Sequence, residues 1–191
     1  MSALFNYPGA KWGMAKQICS MMPAHRSYLE PYFGSGAVLF NKQPSAIETV
    51  NDIDGDIVNF FTVLREQPDE LARLIYLTPY ARDVFNDAHH NRGTDPLDRA
   101  YRFAIRSKMG FGFKTYTHTG FKVDIAGRQG SYAVRNWAKM PELVRVMLLL
   151  MFRRSLLFPK VMVHLRLQHP LHPLMHLNSK KLQMMMTCLS N

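Results

Sequence analysis

Two glycines flank a serine in Gly34-Ser35-Gly36, between the apolar-rich segments Arg26 to Phe33 and Ala37 to Lys42. Glycine at the end of a strand lets backbone approach a ligand closely, and a helix opening there aims its free amides at that ligand. Asp52 lies 18 residues after Gly34. That is near the spacing of about 20 at which an acidic side chain on the tip of the next strand accepts hydrogen bonds from ribose hydroxyls. Together the two features point to a nucleoside cofactor. Leu39 occupies the place of the third glycine of a dinucleotide fingerprint, which argues against NAD and for a smaller nucleoside. The plainer alternative is a Gly-Ser-Gly turn beside a helix-capping aspartate, and spacing alone does not separate the two. A second constellation begins at Arg106. Phe111, Phe113, Tyr116, Phe121 and Tyr132 are interleaved with Lys108, Lys114, His118, Lys122, Arg128 and Arg135, with glycines at 110, 112, 120, 127 and 130. Cationic side chains neutralise phosphates, aromatic rings wedge or stack, and arginine reads guanine edges. A hairpin with solvated charges and a small aromatic cluster is the competing reading.

The elements that must position these groups follow from periodicity and punctuation. Gly13 to Met22 reads as a first helix, stopped before Pro23, because proline cannot continue one. Arg26 to Phe33 reads as a strand running into the glycine turn, and Ala37 to Lys42 as a short helix. Ile47 to Asp52 reads as a second strand, followed by a helix capped by Asp54 and running through Arg65 with Ile57, Phe60, Phe61 and Leu64 on one side. The order β-α-β-α favours a parallel sheet. Helices are expected at Pro68–Leu77, at Pro79–His89 with Thr78 as cap, and from near Thr94 to Lys108. His89-His90 is expected on a solvated helix end, and residues from Gly110 form loops and short hairpins.

Three segments in order resemble the D12 class of S-adenosylmethionine-dependent DNA adenine-N6 methyltransferases, the group containing the Dam enzymes. Asn6-Tyr7-Pro8-Gly9-Ala10-Lys11 is similar to the family's N-terminal cofactor motif, with Ala10 where a second glycine is usual. Glu30-Pro31-Tyr32-Phe33-Gly34-Ser35-Gly36-Ala37-Val38 is similar to its first methyltransferase motif, and Asn51-Asp52-Ile53-Asp54 to its second. The resemblance covers about residues 5 to 142. It implies that Tyr7 and Lys11 touch S-adenosylmethionine, that Phe33, Gly34 and Gly36 line its methionine end, that Asp52 holds the ribose, and that Ser35 also belongs to the cofactor site. It further implies that Arg106, Lys108, Lys114, Tyr116, His118, Lys122 and Arg128 face double-stranded DNA. The fold it implies is α/β: a Rossmann-like methyltransferase fold, incomplete here, with an inserted helical and hairpin recognition region. Residues 1–67 would be the cofactor-binding part, 68–142 the target-recognition region and 143–191 an atypical tail. The activity implied is methyl transfer to adenine N6 in DNA, with a restriction-modification system among the settings such enzymes occupy.

One part of that pattern is missing. The family holds the flipped adenine's amine with an Asp-Pro-Pro-Tyr motif, and this sequence has no Pro-Pro; Asp95-Pro96-Leu97 precedes the recognition region and reads as a helix start. No catalytic residue is therefore assigned, and the chain is expected to bind better than it catalyses. A non-catalytic DNA- or cofactor-binding remnant is the alternative, and a second polypeptide supplying the missing half stays open.

Composition breaks where the motif should follow. Of 191 residues, Lys and Arg number 24 and Asp and Glu 14, but residues 143–191 hold seven basic and no acidic residues, no glycine, seven of 13 methionines and 13 leucines. Residues 1–142 carry 17 basic against 14 acidic. A shifted reading frame or foreign junction from about Leu143 accounts for this. Met184-Met185-Met186 must be three ATG triplets, whose alternative frames read repeated stops or repeated aspartates. A genuine Met-rich appendage is the duller account. Leu143 to Phe158 reads as a buried helix or an unpacked remnant rather than a membrane-surface segment. His164, His169, His172 and His176 are interrupted by Pro170 and Pro173, so no metal site is expected. Cys19 and Cys188 form neither a disulfide framework nor a Cys-x-x-Cys site. The longest apolar run, Val146 to Phe152, is far short of the roughly 20 residues that span a bilayer. A cytoplasmic protein without a membrane segment is expected, and an incomplete sheet would leave apolar surface and low solubility.

Overall fold

Proline, acidic caps and buried aromatic stripes divide the chain into short elements, which a computed structural model describes for residues 4–5, 7–112, 116–123 and 132–155. In order they are α1 (Ala15–Ser20), β1 (Ser27–Glu30), β2 (Ile47–Val50), α2 (Gly55–Glu66), α3 (Pro68–Leu77), α4 (Arg82–His90), α5 (Pro96–Met109), α6 (Tyr132–Ala138) and α7 (Met140–Ser155). The result is a mixed helix and strand fold. Among the described residues the sheet has two strands, β1 and β2, paired in parallel with Ser27 opposite Ile47 and Glu30 opposite Val50. The pairing continues past the strand ends, where Asn51 N donates to Glu30 O at 2.9 Å and Phe33 N to Asn51 O at 2.9 Å. That extension brings the glycine turn and Asp52 side by side.

Local sequence explains most boundaries. Asp54 caps α2 by accepting from Asp56 N at 2.8 Å. Asp95 caps α5 by accepting from Leu97 N at 2.9 Å and Asp98 N at 3.0 Å, with Pro96 in the first turn, where its missing N–H is no loss. Asp95-Pro96 is thus a helix start, as the sequence indicates.

Two expectations need correction. Ala37 to Lys42 forms successive turns rather than a helix. Phe40 N donates to Gly36 O and Lys42 N to Val38 O, both at 3.0 Å, but the bonds are not consecutive. Ala37, Val38, Leu39 and Phe40 are all buried, so the segment fills a slot on every side and packing sets its backbone. Thr78 does not cap α4. It ends α3 in an extended conformation, with its hydroxyl donating to Leu74 O at 2.6 Å and paired with Tyr101 Oη at 2.7 Å. The residue before a proline is pushed out of the helical region, and here that residue precedes Pro79. Tyr80 follows, and α4 starts at Arg82.

The core is aromatic and centred between α2 and α5, which pack on each other. The Phe5 ring lies edge-on to Phe60 at 5.2 Å and to Phe103 at 5.1 Å, and Phe33 meets Phe61 at 4.8 Å. Such edge-to-face pairs add to the burial of the rings themselves. α7 packs on α3 and buries Met140, Val144 and Met147, which are spaced as one face of a helix. The compositional change at Leu143 therefore falls inside a helix, and the segment from Leu143 supplies core side chains. Residues 156–191, with the four tail histidines and the methionine triplet, lie outside the described residues. No helix among the described residues is long and apolar enough to cross a membrane.

Candidate functional site

Three segments far apart in sequence meet at the tips of β1 and β2. Gly34 adopts φ +52° and Gly36 φ +71°, in the left-handed region that costs other residues energy. The backbone N–H of Gly34 donates to Asp52 Oδ2 at 2.6 Å, and the N–H of Asp54 donates to Asp52 Oδ1 at 2.9 Å. Asp52 thus fastens the glycine turn to the start of α2, while its half-buried carboxylate keeps further lone pairs. The Tyr7 ring lies against Gly34, so close that a Cβ there would stand 3.1 Å from Tyr7 Cδ1. At Gly36 a Cβ would stand 2.4 Å from Phe40 and 2.7 Å from Phe33.

The remaining expected cofactor residues take different positions. Trp12 Nε1 donates to Ser35 Oγ at 2.8 Å, and Ser35 is buried. Lys11 is exposed and its ammonium donates to Gly9 O, within the Pro8-Gly9 turn that Ala10 N closes on Tyr7 O at 3.2 Å. Phe33 is buried, and its ring belongs to the aromatic core. Tyr7, Gly34, Ser35 and Asp52 are therefore brought together, Lys11 stands at the edge, and Phe33 supports the turn from below. Trp12 escaped sequence reasoning although it directly follows Lys11.

Beneath Asp52 lie two further carboxylates. Asp54 is 6% exposed and accepts hydrogen bonds from Tyr7 Oη at 3.0 Å, from Asp56 N and from Tyr116 Oη. Burial pushes the Asp54 carboxyl above its ordinary pKa, against the lowering effect of the Asp56 amide and the Tyr7 hydroxyl. Asp56 is ringed by Arg99 Nε at 2.6 Å, Arg106 at 3.0 Å and Arg92 at 3.7 Å. Neither the tyrosine pair on Asp54 nor the arginines on Asp56 were signalled by local sequence, since α2 must first be docked on α5.

The residues expected to face DNA are divided. Arg106 is 1% exposed, with its guanidinium on Asp56 and on Ala88 O at 3.0 Å, so it points into the core. Burial lowers its pKa to about 10. Lys108 and Lys122 flank a short antiparallel bridge between Gly110 and Phe121, where Lys122 N donates to Met109 O at 2.8 Å and Lys122 Nζ to Lys108 O at 3.3 Å. Burial, with Lys122 adding repulsion, lowers the Lys108 ammonium to about 8. Tyr116 and His118 are exposed on the same loop. Lys114 and Arg128 lie outside the described residues. The His118 ring lies 5.0 Å from that of His89, tilted by 54°, and the His89 ring also meets Phe85 at 4.6 Å. His89 is thus partly covered rather than solvated, while His90 is exposed. Among the described residues no group of three His, Cys, Asp or Glu is placed to hold a metal ion.

A sequence model of the D12 class N6 adenine-specific DNA methyltransferases matches residues 7–149. The DNA N-6-adenine-methyltransferase of Escherichia phage P1 is 27% identical over 125 residues, 62% of this chain and 16% of that protein. A DNA adenine methylase of Vibrio cholerae is 26% identical over 125 residues, 62% of this chain and 45% of that protein. One from Serratia marcescens is 28% identical over 109 residues, 53% and 39% of the two chains. The chain spans less than half the length of these curated relatives. The family match takes in the glycine turn, Asp52, the arginine cluster and the 116–123 loop, and reaches into α7.

Proposed function

Because the chain belongs to the D12 class N6 adenine-specific DNA methyltransferases, we propose that it binds S-adenosylmethionine at the β1 and β2 tips and presents the 108–128 segment to double-stranded DNA containing the adenine to be methylated. The observation that carries this reading is the Asp52 carboxylate fastened to the Gly34 amide at 2.6 Å, which sets an acidic group beside a glycine cradle at the ends of two parallel strands. Side chains at Gly34 and Gly36 would collide with Tyr7, Phe33 and Phe40, so the turn keeps its shape only with glycine, and Gly34 remains partly exposed beside Asp52. A carboxylate offers about four lone-pair sites, and two amides on Asp52 leave acceptors for ribose hydroxyls. In this reading Tyr7, Lys11 and Gly34 hold the cofactor with Asp52, while the buried Ser35, Gly36 and Phe33 keep the turn in place. S-adenosylmethionine, when bound, supplies an electrophilic methyl group that an amine can take directly.

Recognition falls to Lys108, Lys114, Tyr116, His118, Lys122 and Arg128, with Arg106 acting from the core as the strut of α5. Residues 1–67 form the cofactor part of a Rossmann-like fold in this proposal, 68–142 the inserted recognition region, and 143–191 the atypical tail, which begins within α7 where that helix docks on α3. The amine of a flipped adenine would need polar acceptors and a stacking ring, and the 191 residues contain no Asp-Pro-Pro-Tyr. In this proposal the 191 residues bind cofactor and DNA more effectively than they transfer a methyl group, and a second polypeptide carrying the motif is one route to a complete site. The same missing motif favours the second reading, a DNA- or cofactor-binding protein without catalysis.

Labelled methyl transfer to unmethylated DNA, run beside calorimetry against S-adenosylmethionine and NAD, tests both. Binding of S-adenosylmethionine with little incorporation is the expected result. Robust incorporation by this chain alone would show that the missing motif is dispensable, and tight NAD binding would overturn the cofactor assignment.

A further inference from the structure

We propose that Asp54 is a positioning residue that couples the recognition loop to the cofactor motif, so that the loop's engagement with DNA and the cofactor's engagement with Tyr7 reinforce each other. The inference rests on the proposed function for the identity of the two ligands, but its physical basis is independent of them. Tyr7 and Tyr116 are 109 positions apart in sequence, and both donate their hydroxyls to the Asp54 carboxylate. Tyr7 stands against Gly34, whose amide is held by Asp52, and Asp52 in turn accepts the N–H of Asp54. Residues 7, 34, 52 and 54 thus close a ring, and Tyr116 is its link to the outside.

Tyr116 is built to make that link. It is 53% exposed, yet Arg92 holds it twice, by a hydrogen bond to Tyr116 O at 2.9 Å and by its guanidinium 5.4 Å from the ring centre. Arg92 also faces Asp56 at 3.7 Å. A ligand that orders or draws away the 116–123 loop must therefore alter the donors on Asp54. A buried carboxylate that loses one donor is left short of a partner, a cost that falls on the carboxylate and on whatever else it holds. A hydroxyl from Tyr116 keeps the carboxylate oriented for Tyr7, and the reverse is equally true. Coupling of this kind is reciprocal by linkage.

The test has two arms. In the first, amide hydrogen exchange is measured on the full chain without ligands, comparing wild type with Tyr116→Phe, a substitution at a half-exposed position that leaves the ring and the core intact. Exchange at residues 7 to 12 is expected to rise about 5-fold or more while that of α3 and α7 is unchanged; unchanged exchange at 7 to 12 would overturn the proposal. In the second, the affinity for S-adenosylmethionine is measured by calorimetry with and without a double-stranded oligonucleotide. The DNA is expected to raise it by about 5-fold or more, and Tyr116→Phe and Tyr7→Phe each to cut that factor below about 2, with the double variant no lower than either single one. Asp54→Asn, which keeps an acceptor oxygen, should restore part of the factor lost in Asp54→Ala. If both ligands bind and DNA leaves the affinity unchanged, the coupling fails and the functional reading stands. If neither ligand binds while exchange at 7 to 12 responds to Tyr116→Phe, the functional reading fails and the coupling stands.

Discussion

Asp56 lies buried under the guanidinium groups of Arg92, Arg99 and Arg106, and Arg106 has no route to solvent. Removing one partner of a buried ion pair strands the other charge, at a cost of about 3–5 kcal/mol. Asp56→Ala is expected to lower unfolding stability by that order in urea titrations, more than the loss of about 1 kcal/mol expected when Asp54→Ala removes the α2 cap. His89 sets a pH dependence. Burial, with His118, Arg106, Arg92 and His90 adding repulsion, lowers its pKa from 6.5 to about 4. Between those values the unfolded chain takes up a proton that the folded chain refuses. The His89 contribution is therefore complete above about 6.5 and is lost as pH falls toward about 4. His89→Phe keeps a ring against Phe85 and should flatten the acid side of stability curves measured from pH 7 to 4. Of these residues, Asp52 and Gly34 were legible in the sequence because strand spacing brings them together. Asp56 with its arginines and His89 with His118 were not, because only helix packing joins them.

At the scale of elements, punctuation was readable and packing was not. Pro68 with its acidic neighbours marks α3, and Asp95-Pro96 marks α5, because caps and prolines act within one turn. The turns at Ala37 to Lys42 escaped notice because a segment buried on all sides carries no periodic stripe, and Thr78 because the proline after it outweighs its capping side chain. Glycine substitutions separate backbone strain from crowding. Gly93 has φ +90°, and a Cβ there would lie 2.6 Å from Arg99 N, a backbone atom that cannot swing away, whereas Gly112 at φ +71° meets nothing within 4 Å. Gly112→Ala should cost roughly 1 kcal/mol, the conformational penalty alone, and Gly93→Ala clearly more, as read from thermal unfolding midpoints. In α7, Met147→Ala is expected to cost about 2–5 kcal/mol and would show that a residue beyond the compositional break carries core packing.

For the whole molecule, the parallel pairing and the family were legible, and of the aromatic core only the α2 side with Phe60 and Phe61, while the docking of α7 on α3 was visible only as an apolar run. Basic residues exceed acidic ones by a small margin over residues 1–142, so under the proposed function those residues would engage DNA through local clusters rather than net charge. Fluorescence anisotropy with a labelled duplex should show affinity falling with salt, and Lys122→Ala should reduce the slope of log affinity against log salt by about 1. The two tryptophans make the molecule its own reporter. Trp12 is half-buried and tied to Ser35 in the glycine turn, while Trp137 is buried with its indole N–H on Thr78 O at 2.9 Å, beside the α3 end. Their intrinsic emission therefore divides into two colours: a blue component that follows the docking of α6 and a redder one that follows the turn. With Trp12→Phe and Trp137→Phe, unlabelled protein gives separate optical readouts of the two regions in one cuvette.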